Sequence, residues 1–499
     1  MTALRLTRAP ALHRYGSAVL TFGLGALLAQ ALAPVQFLWG IPIALGLVSA
    51  QFLRTDSAWG GAWIGWLFGL GYFGFGLSWI VEPFQVDPDR HAWMAPFALI
   101  FLAAGLALFW GVAFGLAVKV SRRELGVLAL IIIWSLAEFG RAYLLTGLPW
   151  AAFGQFWIDS PAAILLPWVG PHGIALLTLA AVLPLGLVRQ NPFVAITPLV
   201  LVLGVLFVLP PAPAAVLTQK TVRLVQPNAP QDQKWHPEYR WGFVRRQLSY
   251  TSAMPRPDLI VWPETAVPQL LNNADETLAA IAGAADGVPV ITGIQRYEDQ
   301  RYFNSLVVLD GQGASSQVYD KTHLVPFGEY VPFGDTLARF GITGFASQTG
   351  SGYSAGPGPQ VLDLTIGKAL PLICYEAVFP QLINAAPERA DMLIQITNDA
   401  WFGTYSGPYQ HLVQARMRAA EQGLPMIRVA NTGVSAMIDG YGRIRESLPM
   451  GEAGFVDAVL PQPLAPTLYS RTGDLPVFVL LLLLAGGVVL FQRSRVSSS

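Results

Sequence analysis

Cys374 is the only cysteine among 499 residues, and it ends the apolar run of Leu370, Leu372 and Ile373. With no partner for an internal disulfide, a thiol in that place is most often a small core residue. Glu376 follows two residues on, where a buried strand would leave its sheet, and sites in α/β sheets collect at strand ends. Two more strand ends carry reactive groups. Leu259, Ile260, Val261 and Trp262 lead into Pro263 and the carboxylate of Glu264, and Tyr319 and Asp320 lead into Lys321. Taken singly, Glu264 reads as a cap and Lys321 as a solvated charge. Together they put a carboxylate, an ammonium and a thiol at successive strand ends, where one sheet can present all three to a common pocket.

Such a trio suits nucleophilic catalysis. A thiol of ordinary pKa is mostly protonated at neutral pH and needs a base or a positive neighbour to attack well. Glu264 can take the proton. Lys321 can stabilise the thiolate and the oxyanion of a tetrahedral intermediate, helped by a backbone N–H such as that of Tyr375. No histidine is demanded, and none stands near Cys374 in the sequence. Six scattered histidines and one cysteine give no metal-ligand spacing, so neither a metal nor a cofactor is expected.

The surrounding chain is that of a membrane protein with one sizeable soluble part. Apolar residues make up 53% and charged residues 12% of the sequence, and the mean hydropathy is +0.47, well outside the habit of soluble domains. Zero net charge gives no hint of nucleic acid. Eight apolar runs are long enough to cross a bilayer, at about 17–33, 35–53, 58–80, 92–120, 125–146, 161–188, 192–210 and 475–491. The predicted organisation is a membrane domain over 1–210, a soluble domain over 211–474, and a last span with a tail over 475–499. Arg5, Arg8, Arg14, Arg54, Lys119, Arg122, Arg123, Arg189, Arg493 and Arg495 all fall on one side of eight spans, which puts both termini in the cytoplasm and 211–474 outside. In a bacterium that outer compartment is the oxidising periplasm, where keeping an unpaired thiol suggests a use for it. Glu138 and Arg141, three residues apart inside the fifth span, read as a mutual ion pair.

From residue 221 the pattern changes to short strands alternating with helices, an α/β layered domain. Strands are predicted at Val222–Gln226, Leu259–Trp262, Val288–Gly293, Ser305–Leu309, Leu370–Cys374, Met392–Thr397 and Met426–Ala430, and helices at about 237–252, 276–284, 378–384 and 409–422.

The segments Trp262–Glu264, Tyr319–Glu329 and Ile373–Glu376 resemble the Glu-Lys-Cys signature of the nitrilase superfamily, whose fold is an αββα sandwich. With seven spans before it and one after it, the whole chain is similar to the apolipoprotein N-acyltransferase family. Gln226–Asn228, Lys234–Trp235, Thr397–Gly403 and Arg428–Gly433 match that family too. The resemblance implies Glu264 as base, Lys321 as oxyanion stabiliser and Cys374 as nucleophile. Glu329 would orient the lysine, and Tyr375 and Glu376 would flank the nucleophile and shape the acyl site. It also implies an acyl chain moved from a phospholipid, typically phosphatidylethanolamine, through a Cys thioester. The acceptor would be the α-amino group of the diacylglyceryl-cysteine that begins a lipoprotein. The setting implied is the bacterial inner membrane with the catalytic domain facing the periplasm, and a monomer. Trp235, Asn304, Trp401 and Phe402 are candidates for substrate contact or a lid, along with the segments Gly341–Gly358 and Trp401–Tyr409. A membrane-tethered amidase hydrolysing a small carbon–nitrogen substrate shares the same trio, and a non-catalytic scaffold carrying a dead domain is a further alternative.

Overall fold

The computed structural model describes residues 9–120, 123–332 and 352–497, without the side chains of 9–14, 123–124 and 493–497. Arg5, Arg8 and Arg122, the side chains of Arg14, Arg123, Arg493 and Arg495, and positions 341–351 of the lid candidate lie outside the described residues. The chain forms two compact units, Met1–Pro211 with Asp474–Ser499, and Ala212–Gly473.

The first unit is helical. Among the described residues four helices are long and apolar enough to cross a bilayer: Pro88–Val120, Leu125–Tyr143, Pro161–Leu187 and Leu475–Gln492. Ala58–Gly76 and Ser78–Gln85 together make a fifth candidate, bent by 45°. Tyr15–Ala29, Gly40–Phe52 and Pro192–Val208 are apolar but shorter. Among the described residues, four or five of the eight predicted runs thus form helices of full crossing length. The first helix stops at Ala29 and the chain turns around Pro34, a residue with no N–H to continue a helix. The third breaks at Leu77, whose φ of −110° and ψ of 21° leave the helical region.

Glu138 and Arg141 pair at 2.7 Å, both almost wholly buried. Glu138 also accepts from Trp110 Nε1 at 2.7 Å, and Arg141 donates to the carbonyls of Leu148 and Trp150. The pair thus staples the 148–150 backbone to its helix, where unsatisfied carbonyls would be costly. The last helix returns to this unit, with Val477, Leu481 and Val488 packed among Ile132 and Phe139.

The described residues of the second unit form twelve strands: β1 (Leu217–Gln226), β2 (Leu259–Val261), β3 (Val290–Glu298), β4 (Arg301–Leu309), β5 (Ser315–Asp320), β6 (Leu362–Leu364), β7 (Gly367–Ile373), β8 (Met392–Thr397), β9 (Met426–Ala430), β10 (Ser435–Ile438), β11 (Ile444–Leu448) and β12 (Gly454–Pro461). They form two six-stranded sheets, ordered β12-β1-β2-β3-β4-β5 and β11-β10-β9-β8-β7-β6. Each has a parallel centre, β1–β2–β3 or β7–β8–β9, with antiparallel flanks. Strand periodicity divides the two faces of each sheet. Ile260 and Trp262 pack with Leu278 and Ile281 of helix Asp275–Ala285. Leu370 and Leu372 pack with Leu412, Ala415 and Ala419 of helix Gly407–Gln422. The sheets meet where Ser435 donates to Gln226 Oε1 at 2.5 Å and Asn228 N to Asn431 O at 3.0 Å. This is helix–sheet–sheet–helix layering.

One expectation is corrected here. Glu264 and Lys321 follow β2 and β5 of one sheet, whereas Cys374 follows β7 of the other. Two facing sheets, rather than one, supply the trio.

Candidate active site

Glu264 follows a strand that ends early at Val261, and Thr265 after it has a left-handed φ of 46°. This tight exit passes over β3 at Gly293, where an added Cβ would lie 2.6 Å from Glu264 Cα and 2.4 Å from Thr265 N. Only hydrogen leaves room for that approach. Lys234 fixes the exit from its side chain, donating to Glu264 O at 3.0 Å and Thr265 Oγ1 at 2.8 Å.

The Glu264 carboxylate is buried and held at both oxygens. Oε1 accepts from Asn304 Nδ2 at 2.7 Å and lies 3.6 Å from Lys321 Nζ, while Oε2 accepts from Asn398 N at 2.8 Å. Lys321 Nζ donates to Glu329 Oε1 at 2.9 Å, and the same oxygen accepts from Asn304 at 3.1 Å. Glu329 Oε2 is tied to Val325 N at 2.9 Å. Asn304 therefore bridges the two carboxylates. Upstream, Asp320 is gripped by Arg296 and Ser305, which pins the end of β5 from which Lys321 projects.

Cys374 is buried, with a left-handed φ of 52°. For a non-glycine residue this costs about 1–2 kcal/mol. Glu376 holds the turn in this conformation. Its Oε1 accepts from Tyr319 OH, Thr322 N, Thr322 Oγ1 and His323 N, and its Oε2 from Ile373 N, at 2.7 to 3.1 Å. Hydrogen bonds to a charged group contribute about 1.5–3 kcal/mol each. Glu376 thus locks the cysteine turn to the lysine loop. Tyr375 is buried beside it, 4.9 Å from the Phe379 ring.

The electrostatics separate the three groups. Burial, and then the Glu264 charge, push the Cys374 thiol well above its ordinary range against the pull of Lys321. The resting thiol is therefore protonated. Burial opposes the charge on Lys321, but Glu329 and Glu264 outweigh it, so its pKa lies above the usual lysine value and the cation is permanent. Burial brings Lys234 down to about 8, although Glu264 and Cys374 resist. A protonated thiol, a carboxylate that can accept its proton and a fixed cation are the parts of an activated nucleophile with charge stabilisation alongside.

The remaining candidates divide. Trp235 is half-buried, its ring 5.7 Å from Lys234 Nζ. Trp401 is half-buried and Tyr405 is exposed, but Phe402 is buried with its ring against His411. The described end of the other lid candidate is docked: Tyr353 N bonds Glu329 O at 2.8 Å and Gly356 N bonds Lys321 O at 2.9 Å. The sequence reading also missed a residue. His411, on helix Gly407–Gln422, brings Nε2 to 3.0 Å from the Cys374 carbonyl. The missed signal is that the helix is buried nearly all round, so its polar residues must face partners inside.

Residues 221–465 match the carbon-nitrogen hydrolase family, and residues 24–183 match the apolipoprotein N-acyltransferase N-terminal domain. The apolipoprotein N-acyltransferase of Rhodopseudomonas palustris is 38% identical over 92% of this chain and 91% of its own. That of Rhizobium rhizogenes is 42% identical over 79% of each, and that of Brucella suis 37% identical over 91% of each. Among solved structures, a CN-hydrolase superfamily protein from Xanthomonas campestris aligns at 20% identity over 52% of this chain and 96% of its own, with a TM-score of 0.36.

Proposed function

Since the chain belongs to the apolipoprotein N-acyltransferase family, we propose that it moves an acyl chain from a phospholipid to the α-amino group of a diacylglyceryl-cysteine, with Cys374 as nucleophile, Glu264 as base and Lys321 as oxyanion stabiliser. The carrying observation is that Lys321 stands between Glu264 and Glu329 as a buried cation, with the Cys374 thiol in the same electrostatic field.

The steps follow from these positions. Glu264 takes the thiol proton as Cys374 attacks the ester carbonyl, and Lys321 neutralises the oxyanion. When the C–O bond breaks, Glu264 returns the proton to the leaving lysophospholipid alkoxide. The thioester left behind is a better acyl donor to an amine than the ester was. Glu264 then accepts the proton of the attacking α-amine as the amide forms, and the proton returns to the departing Cys374 thiolate. One pocket serves both lipids in turn, which is ping-pong kinetics. Phosphatidylethanolamine is the proposed donor.

An amidase with the same trio would need only the second unit. The match of residues 24–183 to the N-terminal domain of the acyltransferase family favours transfer. Purified protein given phospholipid labelled in its acyl chains should pass label to a diacylated lipopeptide with a free α-amine. Release of labelled free fatty acid at the same rate with and without lipopeptide would instead make it a hydrolase.

We also propose eight crossings of the bacterial inner membrane, made by four long helices, one bent pair and three shorter ones, with the second unit in the periplasm. The one-sided distribution of arginine and lysine supports that orientation. A reporter that works only in the cytoplasm, fused within 212–473, should be silent. Activity there reverses the orientation.

A further inference from the structure

The Cys374 carbonyl is held by a closed ring of buried side chains. Gln395 of β8 donates Nε2 to it at 3.0 Å, and His411 Nε2 lies at 3.0 Å from both this oxygen and the Gln395 amide nitrogen. His411 Nδ1 meets Asp399 Oδ1 at 2.8 Å. Asp399 Oδ2 accepts from Arg428 at 2.5 Å, and a second Arg428 nitrogen donates to Gln395 Oε1 at 2.5 Å, closing the ring. Thr397 also donates to Asp399 at 2.9 Å. All four ring members are wholly buried. The fit is tight: a Cβ on Gly433 would lie 2.2 Å from Asp399 Oδ2.

Elimination orients the Gln395 amide and places a hydrogen on His411 Nδ1. Arg428 only donates, so the oxygen of the Gln395 amide faces it and the NH2 faces Cys374 and His411. Asp399 is ionised, its pKa held down to about 2 by Arg428 and His411 against the opposing effect of burial. It only accepts, so His411 carries its hydrogen on Nδ1. Burial holds His411 below its ordinary pKa, opposed by Asp399 and by the contact with the Cys374 carbonyl, and its Nε2 faces both that carbonyl and the Gln395 amide nitrogen. Gln395 Nε2 donates to the same carbonyl. Arg428 and Asp399 cancel in charge, and the ring delivers an oriented donor.

That donor acts on a backbone that needs one. Cys374 is left-handed, and the orientation of its carbonyl fixes the direction in which Cα–Cβ carries the sulfur. Glu376 holds the strand end one peptide further back, through Ile373 N. The ring holds the peptide after Cys374. We propose that His411 and Gln395 are positioning residues of the reaction, fixing the peptide plane that aims the Cys374 thiol. Neither takes part in bond making.

This inference rests on Cys374 being the nucleophile. The test uses full-length protein in phospholipid micelles, measuring acyl-enzyme formation and donor half-saturation, with thermal unfolding followed in parallel. Gln395→Met removes the donor at similar volume, and His411→Ala frees the amide to rotate. Each should slow acyl-enzyme formation by about 10²-fold, the usual effect of misplacing a reacting group by about 1 Å, with half-saturation unchanged. His411→Gln keeps a donor and an acceptor on one planar group and should regain at least roughly tenfold. If folded Gln395→Met forms the thioester at the wild-type rate, or if His411→Gln is as slow as His411→Ala, the positioning role is overturned. If His411→Ala does not fold, Gln395→Met and His411→Gln decide. Activity retained by Cys374→Ser overturns the nucleophile assignment instead, which keeps the two failures apart.

Discussion

Given phospholipid and no acceptor, the protein will gain the mass of one acyl chain on Cys374, release one lysophospholipid and stop. Cys374 is the sole thiol in the chain, so the adduct has one cysteine to occupy, and neutral hydroxylamine should remove it as expected of a thioester. A diacylated lipopeptide with a free α-amine should discharge it as an amide. Cys374→Ser should lower turnover roughly 10⁴–10⁶-fold, the scale seen when a nucleophile is removed from a coupled catalytic group. The cause is specific to this site. Burial and the Glu264 charge already disfavour ionisation of the thiol, and a hydroxyl in the same place is harder still to ionise. Its ester would also be a poor donor to the amine. If intact-mass analysis finds no acyl gain with donor alone while transfer proceeds when both substrates are present, the acyl chain passes directly in a ternary complex and the covalent route is wrong.

How far such a site can be seen in a sequence depends on what each residue faces. The central strands were legible. β8 and β9 have the predicted bounds and β1, β2, β3, β4 and β7 overlap theirs, because strands buried on both faces read as apolar runs. Of β5 only the end before Lys321 was read, and the strands missing from the prediction are β6, β11 and β12, the other three sheet edges, and β10 beside one of them. An edge strand such as β11, exposed at four of its five residues, has no alternation to find. Glu264 and Cys374 stood out because each closes an apolar run, whereas Lys321 follows the polar stretch Ser315–Asp320 and stood out only as a lysine after a short strand. That they come from two sheets was not legible, because periodicity within a strand is silent on which sheet it joins. His411 was invisible at 37 residues from Cys374. Only tertiary packing brings a mid-helix histidine to a strand end. The contacts of Glu376 were not legible either, because its partners on the Thr322 loop are 53 and 54 residues away.

The other two members of the trio should fail in different ways when replaced. Glu264→Gln keeps the shape and leaves the Asn304 and Asn398 donors facing an amide that takes no proton. Burial, the larger cause of the raised thiol pKa, remains once the Glu264 charge is gone, so raising the pH to about 9, near the ordinary cysteine value, should not restore acyl-enzyme formation. Recovery at that pH would mean that Cys374 ionises without help and would remove Glu264 as base. Lys321→Met deletes the cation between Glu264 and Glu329, leaving Asn304 as the shared donor to both. Breaking a buried ion pair from one side costs about 3–5 kcal/mol, so this variant should melt earlier than wild type, whereas Glu264→Gln leaves Lys321 paired with Glu329 and should melt closer to it. Among the molecules that remain folded, loss of the oxyanion partner should slow acyl-enzyme formation by at least about 10²–10³-fold. The loss should fall on the rate constant rather than on half-saturation for phospholipid, because the oxyanion exists only once Cys374 has attacked. A Lys321→Met protein that is folded, saturates at higher phospholipid and then turns over normally would place the lysine in ground-state binding and take it out of the chemical step.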